Sequence, residues 1–156
     1  MAYRGSFLPK YKQKYSGDIN KITYRSLWEL RVMQWLDFNP DVIQWNSEET
    51  IIPYRCKTDG RMHRYFMDFT VQFNTGVVLL VEVKPKTQTE PPKNTQKKKP
   101  HKFLTETMTF AKNTSKWYAA KKYAQDRNWE FQIWTEDSLK SIGINVTGKK
   151  PPSKQR

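Results

Sequence analysis

Three side chains in the middle of this 156-residue sequence have the types and spacing for phosphoester chemistry: Asp68, Glu82 and Lys84. Glu82 and Lys84 close an apolar run as Glu-Val-Lys, and in an extended chain the period of two sends both side chains to one face. Asp68 lies on the preceding extended segment, with a turn at Asn74-Thr75-Gly76 between them, so antiparallel pairing would bring it near Glu82. A hard divalent cation such as Mg²⁺, with Mn²⁺ as a substitute, takes oxygen ligands, commonly one or two carboxylates together with water and a phosphate. Such an ion polarises the phosphate and acidifies its bound water, which makes a nucleophile for phosphodiester cleavage. A lysine two residues beyond the second carboxylate is placed to orient that water or to neutralise charge in the transition state. Glu29, on a predicted helix, is a third carboxylate able to reach the same pocket. Asp68 and Glu82 are thus the candidate metal ligands, and Asp68, Glu82, Lys84 and Glu29 the candidate catalytic set.

The triplet alone decides nothing. In a chain with 8 Glu and 20 Lys, Glu-x-Lys is expected about once by chance, and it occurs once. The competing reading is the charged rim of a sheet. Weight comes from context, because an apolar strand leads straight into Glu82 and an Asp-bearing strand precedes it through a tight turn.

The elements that must position these groups follow from periodicity. Residues 23–37 have Leu27, Trp28, Val32, Met33, Trp35 and Leu36 on one broad face, the pattern of an amphipathic helix, with Ser26 and Glu29 as a capping box and Asn39-Pro40 as its stop. Val42 to Trp45 and Glu49 to Tyr54 form a first extended region, and Glu48 and Glu49 read as a solvated strand edge. Arg64 to Phe73 reads as one continuous second strand, with Met67, Phe69, Val71 and Phe73 on one face. Val77 to Val83 is apolar but for Glu82, as in a strand covered on both sides. Residues 103–127 read as a helix with Phe103, Phe110, Trp117 and Tyr118 for its buried side. Trp129 to Trp134 is a fourth strand, and Glu136 to Ile142 a short closing helix. The order α-β-β-β-α-β implies an α/β fold, a mixed sheet flanked by helices, in a single domain over 1–156.

Composition limits the partner. The chain carries 28 Lys and Arg against 15 Asp and Glu, a net charge of +13. Mean hydropathy is −0.88, yet 6 Trp, 8 Tyr and 8 Phe supply enough apolar bulk for a core. No stretch approaches the roughly 18 apolar residues of a membrane span, and the N-terminus lacks the apolar run of a secretory signal. A lone cysteine, Cys56, makes no internal disulfide and, with two histidines, no Cys/His zinc site. The expectation is a soluble, intracellular domain with a polyanionic partner. Its positive charge is concentrated in two basic, flexible ends, 1–15 and 148–156, and a basic loop, 85–102, with Lys84 at its start; outside these segments and Lys84 the chain is nearly neutral at 13 basic and 14 acidic residues. Lys86, Lys93, Lys97, Lys98 and Lys99 of the loop, with Arg61, His63 and Arg64 before the Asp68 strand, are the candidate DNA contacts.

Four segments in order carry a resemblance: Tyr24-Arg-Ser-x-Trp-Glu29, Ser47-Glu-Glu-x-Ile-Ile-Pro-Tyr54, Asp59-Gly-Arg-x-His-Arg-Tyr-Phe-x-Asp-Phe69 and Val81-Glu-Val-Lys-Pro-Lys86. Over nearly the whole chain the sequence resembles the head completion proteins of myovirus-type tailed bacteriophages. These are similar to the catalytic domain of the TnsA-type transposon endonuclease, within the restriction-endonuclease-like superfamily. The resemblance implies a restriction-endonuclease-like core and a divalent-metal-dependent DNA endonuclease that acts on packaged DNA or its end during virion assembly. It would meet DNA and head, portal or neck proteins, in the virion and in the host cytoplasm during assembly. By position, Asp68 matches the metal-binding aspartate, Glu82 the second acidic position, Lys84 the catalytic lysine and Glu29 the helix-borne glutamate. Met67 stands where the superfamily pattern often has proline. The alternative is a non-catalytic neck or head component that binds DNA or portal without cutting. A host-type repair or transposition nuclease is less favoured, since no second, partner-binding domain is legible after the catalytic one.

Overall fold

The computed structural model describes residues 3–148, so the basic tail expected over 148–156 lies outside the described residues except for Gly148. Strands β1 (Gly5–Ser6) and β2 (Thr23–Tyr24) pair with each other and lead into helix α1 (Leu27–Phe38). Then come β3 (Val42–Ser47), β4 (Ile51–Arg55), β5 (Met62–Phe66), β6 (Phe69–Phe73) and β7 (Val78–Val83). Helix α2 (Pro100–Asp126), strand β8 (Glu130–Trp134) and helix α3 (Glu136–Ser141) complete the chain. The main sheet has the order β3-β6-β7-β8, and β4-β5 stands apart as a two-stranded hairpin. Strand β6 is antiparallel to β3 and β7, whereas β8 joins β7 in parallel after the α2 crossover, which makes the sheet mixed. Within the main sheet, α1-β3-β6-β7-α2-β8 is the α-β-β-β-α-β order read from the sequence, while β1-β2 and the β4-β5 hairpin are added to it.

Each face of the sheet has its own core. Val32, Met33 and Leu36 of α1 pack with Trp45, Phe69, Val71, Leu79 and Val81 on one side. On the other, Leu80 meets Ala120 and Ala124 of α2, together with Ile52, Tyr54, Tyr65 and Met67 of the hairpin. Strand β7 is consequently buried on both faces, as its apolar run implied.

Several expectations are corrected. The segment 64–73 is not one strand: β5 ends at Phe66, β6 begins at Phe69, and the two belong to different sheets. Glu48 explains the break, since its backbone N–H donates to the carbonyls of both Met67 and Asp68 (3.1 and 3.3 Å) from a left-handed conformation (φ 58°). Helix α2 starts at Pro100 rather than at 103, with proline in the first turn, where its missing N–H costs no hydrogen bond. Tyr118 is 74% exposed rather than part of that helix's buried side. The described part of 1–15 is packed rather than loose: Tyr15 is buried, and Lys14 Nζ donates to the carbonyls of Leu36, Asp37 and Asn39 at 2.8 Å each, closing the C-terminus of α1.

Candidate active site

The antiparallel register pairs Phe69 with Val81, and one step beyond that pair stand Asp68 and Glu82. Val83 packs toward the α1 core, so Glu82 and Lys84 on either side of it face the α2 side. The backbone N–H of Val83 donates to Asp68 Oδ2 at 2.9 Å and holds the carboxylate over the end of β7. Glu82 is only 5% exposed, and the indole Nε1–H of Trp117, on α2, donates to its Oε2. The Lys84 backbone N–H donates to the Trp134 carbonyl at 3.0 Å and continues the β7–β8 ladder. Glu29 lies on the first turn of α1, where Ser26 Oγ accepts from its backbone N–H at 3.1 Å as the capping pattern predicted. Its carboxylate turns back to the Arg25 backbone N–H at 3.3 Å and the Ser26 hydroxyl at 3.4 Å.

Electrostatics ties these groups into one site. Burial, then the neighbouring charge of Glu82 and that of Glu29, hold the Asp68 carboxyl well above the usual carboxylate range, against the Val83 N–H and the charge of Lys84. Burial also raises Glu29, with Glu48 adding to it and Arg25 opposing. Tyr65, 3% exposed, has its hydroxyl beside Glu82, and burial, the charges of Glu82 and Asp68, and hydrogen bonding to Glu82 push its pKa up. The donors are all oxygens, and the two carboxylates repel one another with a buried hydroxyl beside them. That combination fits a hard divalent cation, which would relieve the repulsion.

Sequence reasoning missed five neighbours: Arg25, Glu48, Tyr65, Lys116 and Trp117. Glu49 is exposed, as expected of a strand edge, but Glu48 is half-buried and paired. Arg25 Nη1 donates to Glu48 Oε1 in an ion pair whose guanidinium also feels Glu29 and Asp68. Glu49 Oε2 accepts from the Tyr15 hydroxyl at 3.2 Å and the Asp18 N–H at 3.1 Å. Trp117 is a hydrogen-bond donor to Glu82 as well as a packing residue. Lys116 feels the charges of Glu82, Asp68 and Lys84, and Tyr65 supplies the buried hydroxyl. Arg25 and Glu48 fall in the segments that carried the resemblance, which was a usable signal. Lys116 and Trp117 had none, because only the docking of α2 brings them to β7.

The candidate DNA contacts separate into groups. Lys93, Lys97 and Lys99 are exposed. Lys98 is engaged internally, with Nζ on the Lys93 carbonyl at 2.6 Å and on Glu106 Oε1 at 2.5 Å, so it straps the loop to α2. The Lys86 backbone N–H donates to Glu136 Oε1 at 2.7 Å, and its ammonium lies 3.7 Å from Asp137. Arg61, His63 and Arg64 belong to the β4–β5 hairpin, His63 and Arg64 five and four residues of chain before Asp68. His63 stacks on Tyr54 and shares a 2.8 Å hydrogen bond with Asp59, while Arg64 lies over the Phe66 ring at 5.5 Å. The hairpin turn also gathers the donor atoms of Cys56, Asp59 and His63 within 4.8 Å of one another, a trio that a reading confined to Cys and His overlooked. Each is already used inside the turn: Cys56 Sγ lies 3.0 Å from Thr58 Oγ1, and Asp59 accepts from the Arg61 N–H as well as pairing with His63.

Known proteins share this arrangement of chain. The "Head completion nuclease" of Enterobacteria phage T4 is 45% identical over 149 residues, covering 92% of this chain and 98% of that protein. Residues 39–136 match the family described as TnsA-like endonuclease N terminal, a span that starts just after α1 and runs through β3, the split hairpin, the Asp68–Lys84 site, α2 and β8. This chain belongs to the TnsA-like endonuclease family, with a restriction-endonuclease-like fold.

Proposed function

We infer that this protein is a Mg²⁺-dependent DNA endonuclease that works in phage head completion, on packaged DNA or its end. The observation that carries the reading is the opposition of Asp68 and Glu82 at the end of β7, with Lys84 next along the same face. Family membership and the T4 head completion nuclease support an endonuclease acting on DNA in head completion, and portal or neck proteins would be its neighbours there.

Asp68 and Glu82 would hold the ion, which when bound supplies Lewis-acid polarisation of the phosphate and a more acidic water. The remaining work belongs to the chain. The Val83 N–H and the Trp117 indole keep the two carboxylates aimed, so that no reorganisation is needed when substrate arrives. Lys84 puts positive charge beside them, where negative charge grows on the phosphate during hydrolysis. Glu29, held at the start of α1, completes the acidic wall. Exposed Lys93, Lys97 and Lys99 flank the site on the loop that follows Lys84 and meet the phosphate backbone.

Conversion of supercoiled plasmid to nicked and linear forms tests this, with Mg²⁺, Mn²⁺ or EDTA, on wild type and Asp68→Ala. Cleavage by wild type with either metal, none with EDTA and none by Asp68→Ala is expected. Undiminished cleavage by purified, folded Asp68→Ala sinks the site assignment. Wild type that binds plasmid without cutting it under any condition would leave a non-catalytic head protein.

A further inference from the structure

The geometry points to Lys116 of α2 as a second active-site cation, one that contacts the scissile phosphate from the side opposite Lys84. This rests on the nuclease reading above and adds a residue to it.

Lys116 is one of four lysines on α2 between residues 112 and 122, and a helix lysine is ordinarily a solvated charge. Its surroundings set it apart. It is half-buried, and its ammonium lies over the ring of Tyr65, 5.3 Å from the centroid. Tyr65 is itself 3% exposed, and its hydroxyl lies beside Glu82, within reach of the charges of Glu82 and Asp68. The neighbouring residue, Trp117, donates to Glu82, so the backbone of this turn of α2 is pinned against the end of β7. Lys116 therefore looks onto the same carboxylates as Lys84, from a different element.

What it lacks is an anion. Among the described residues Lys116 makes no salt bridge within 4 Å and no hydrogen bond from its ammonium, although Glu82 and Asp68 are close enough for their charges to act on it. A partly desolvated ammonium without a paired anion is costly unless something outside the chain completes it. Lys84 likewise makes no salt bridge among the described residues, and the two cations repel each other. Two ammoniums beside the same carboxylates, neither with a paired anion among the described residues, would both be satisfied by one further anion. A phosphodiester gaining charge at its non-bridging oxygens satisfies both lysines, which a purely structural ion pair with Glu82 would not.

The test is single-turnover plasmid cleavage with saturating Mg²⁺ by wild type, Lys116→Ala, Lys116→Gln, Lys116→Arg and, as an exposed control on the same helix, Lys121→Ala. Lys116→Ala and Lys116→Gln should cut on the order of 100-fold more slowly, the scale of removing one donor to a developing oxyanion. Plasmid affinity in EDTA should move by less than about threefold, since one phosphate contact among several is lost. Lys116→Arg should recover most of the rate, and Lys121→Ala should match wild type. If Lys116→Ala does not fold, Lys116→Gln carries the comparison, since it keeps most of the stem over Tyr65. Wild-type rates in the neutral variants overturn the inference while leaving the nuclease reading intact. An arginine variant as slow as the alanine one overturns it too, because the effect would then follow shape rather than charge. Loss of cleavage in wild type itself falls on the nuclease reading, and this inference goes with it.

Discussion

The backbone N–H of Val83 donates to Asp68 Oδ2 at 2.9 Å, so the strand that carries Glu82 and Lys84 also holds the aspartate that faces them. A carboxylate fixed by backbone cannot swing away from its neighbour's charge. The repulsion between Asp68 and Glu82 is therefore built into the sheet, and it has consequences that can be measured.

Stability without metal should fall as pH rises. The folded state holds the Asp68 proton to a higher pH than the unfolded chain, whose carboxylate has an ordinary value near about 4. The folded state thus binds more protons across that window, so the contribution is full below the ordinary value and is lost as pH climbs through the raised one. Urea unfolding in EDTA from roughly pH 4 to 8 should show this decline, and Asp68→Asn should flatten it. An equal slope in the variant would mean that another group is responsible.

Trp117→Phe should weaken the site and the fold together. It removes the indole donor to the buried Glu82 carboxylate, at a cost of about 1–3 kcal/mol for a lost hydrogen bond to a charged group. Added Mg²⁺ should return part of that loss by supplying positive charge to the same oxygens. Unfolding curves with and without the ion decide it, and wild-type stability in EDTA counts against the bond.

Lys14→Ala should behave as a helix mutation rather than a DNA-binding one. Three carbonyls at the end of α1 lose their shared donor, so stability should drop by about 1–3 kcal/mol. Plasmid affinity in EDTA should stay near wild type, and a large fall in affinity without loss of stability would return this segment to the DNA interface.

The basic loop should divide by residue. Changing Lys93, Lys97 and Lys99 together to Gln should reduce the slope of log affinity against log salt by about 2–3, at ~0.9 per phosphate contact. Lys98→Gln should instead lower the melting temperature, because its ammonium bridges the Lys93 carbonyl and Glu106. Equal salt slopes in the triple variant and wild type would remove the loop from the interface.

Local regularities of the sequence were enough for the frame. The apolar run 77–83 required a strand buried on both faces, the period of two put Glu82 and Lys84 on one of them, and the Ser26–Glu29 spacing marked the start of α1. These features depend on neighbours a few residues apart, and such neighbours are visible in a string of letters. The charge partition of the basic loop and ends was legible for the same reason.

Tertiary structure decided the rest, because it depends on contacts between residues far apart in the chain. Nothing local in 64–73 announces a break, and it arises because the Glu48 N–H captures the carbonyls of Met67 and Asp68. That capture ends one sheet, starts another and leaves Asp68 at the junction facing Glu82. Nor could composition single out one of 20 lysines: Lys116 joins the site because Trp117 ties α2 to a carboxylate 35 positions earlier. The sequence alone determined that Glu82 and Lys84, the candidate site residues, stand two apart at the end of β7. Helix docking and the Glu48 capture determined which distant charges surround them, since Coulomb energies depend on separation in space rather than along the chain.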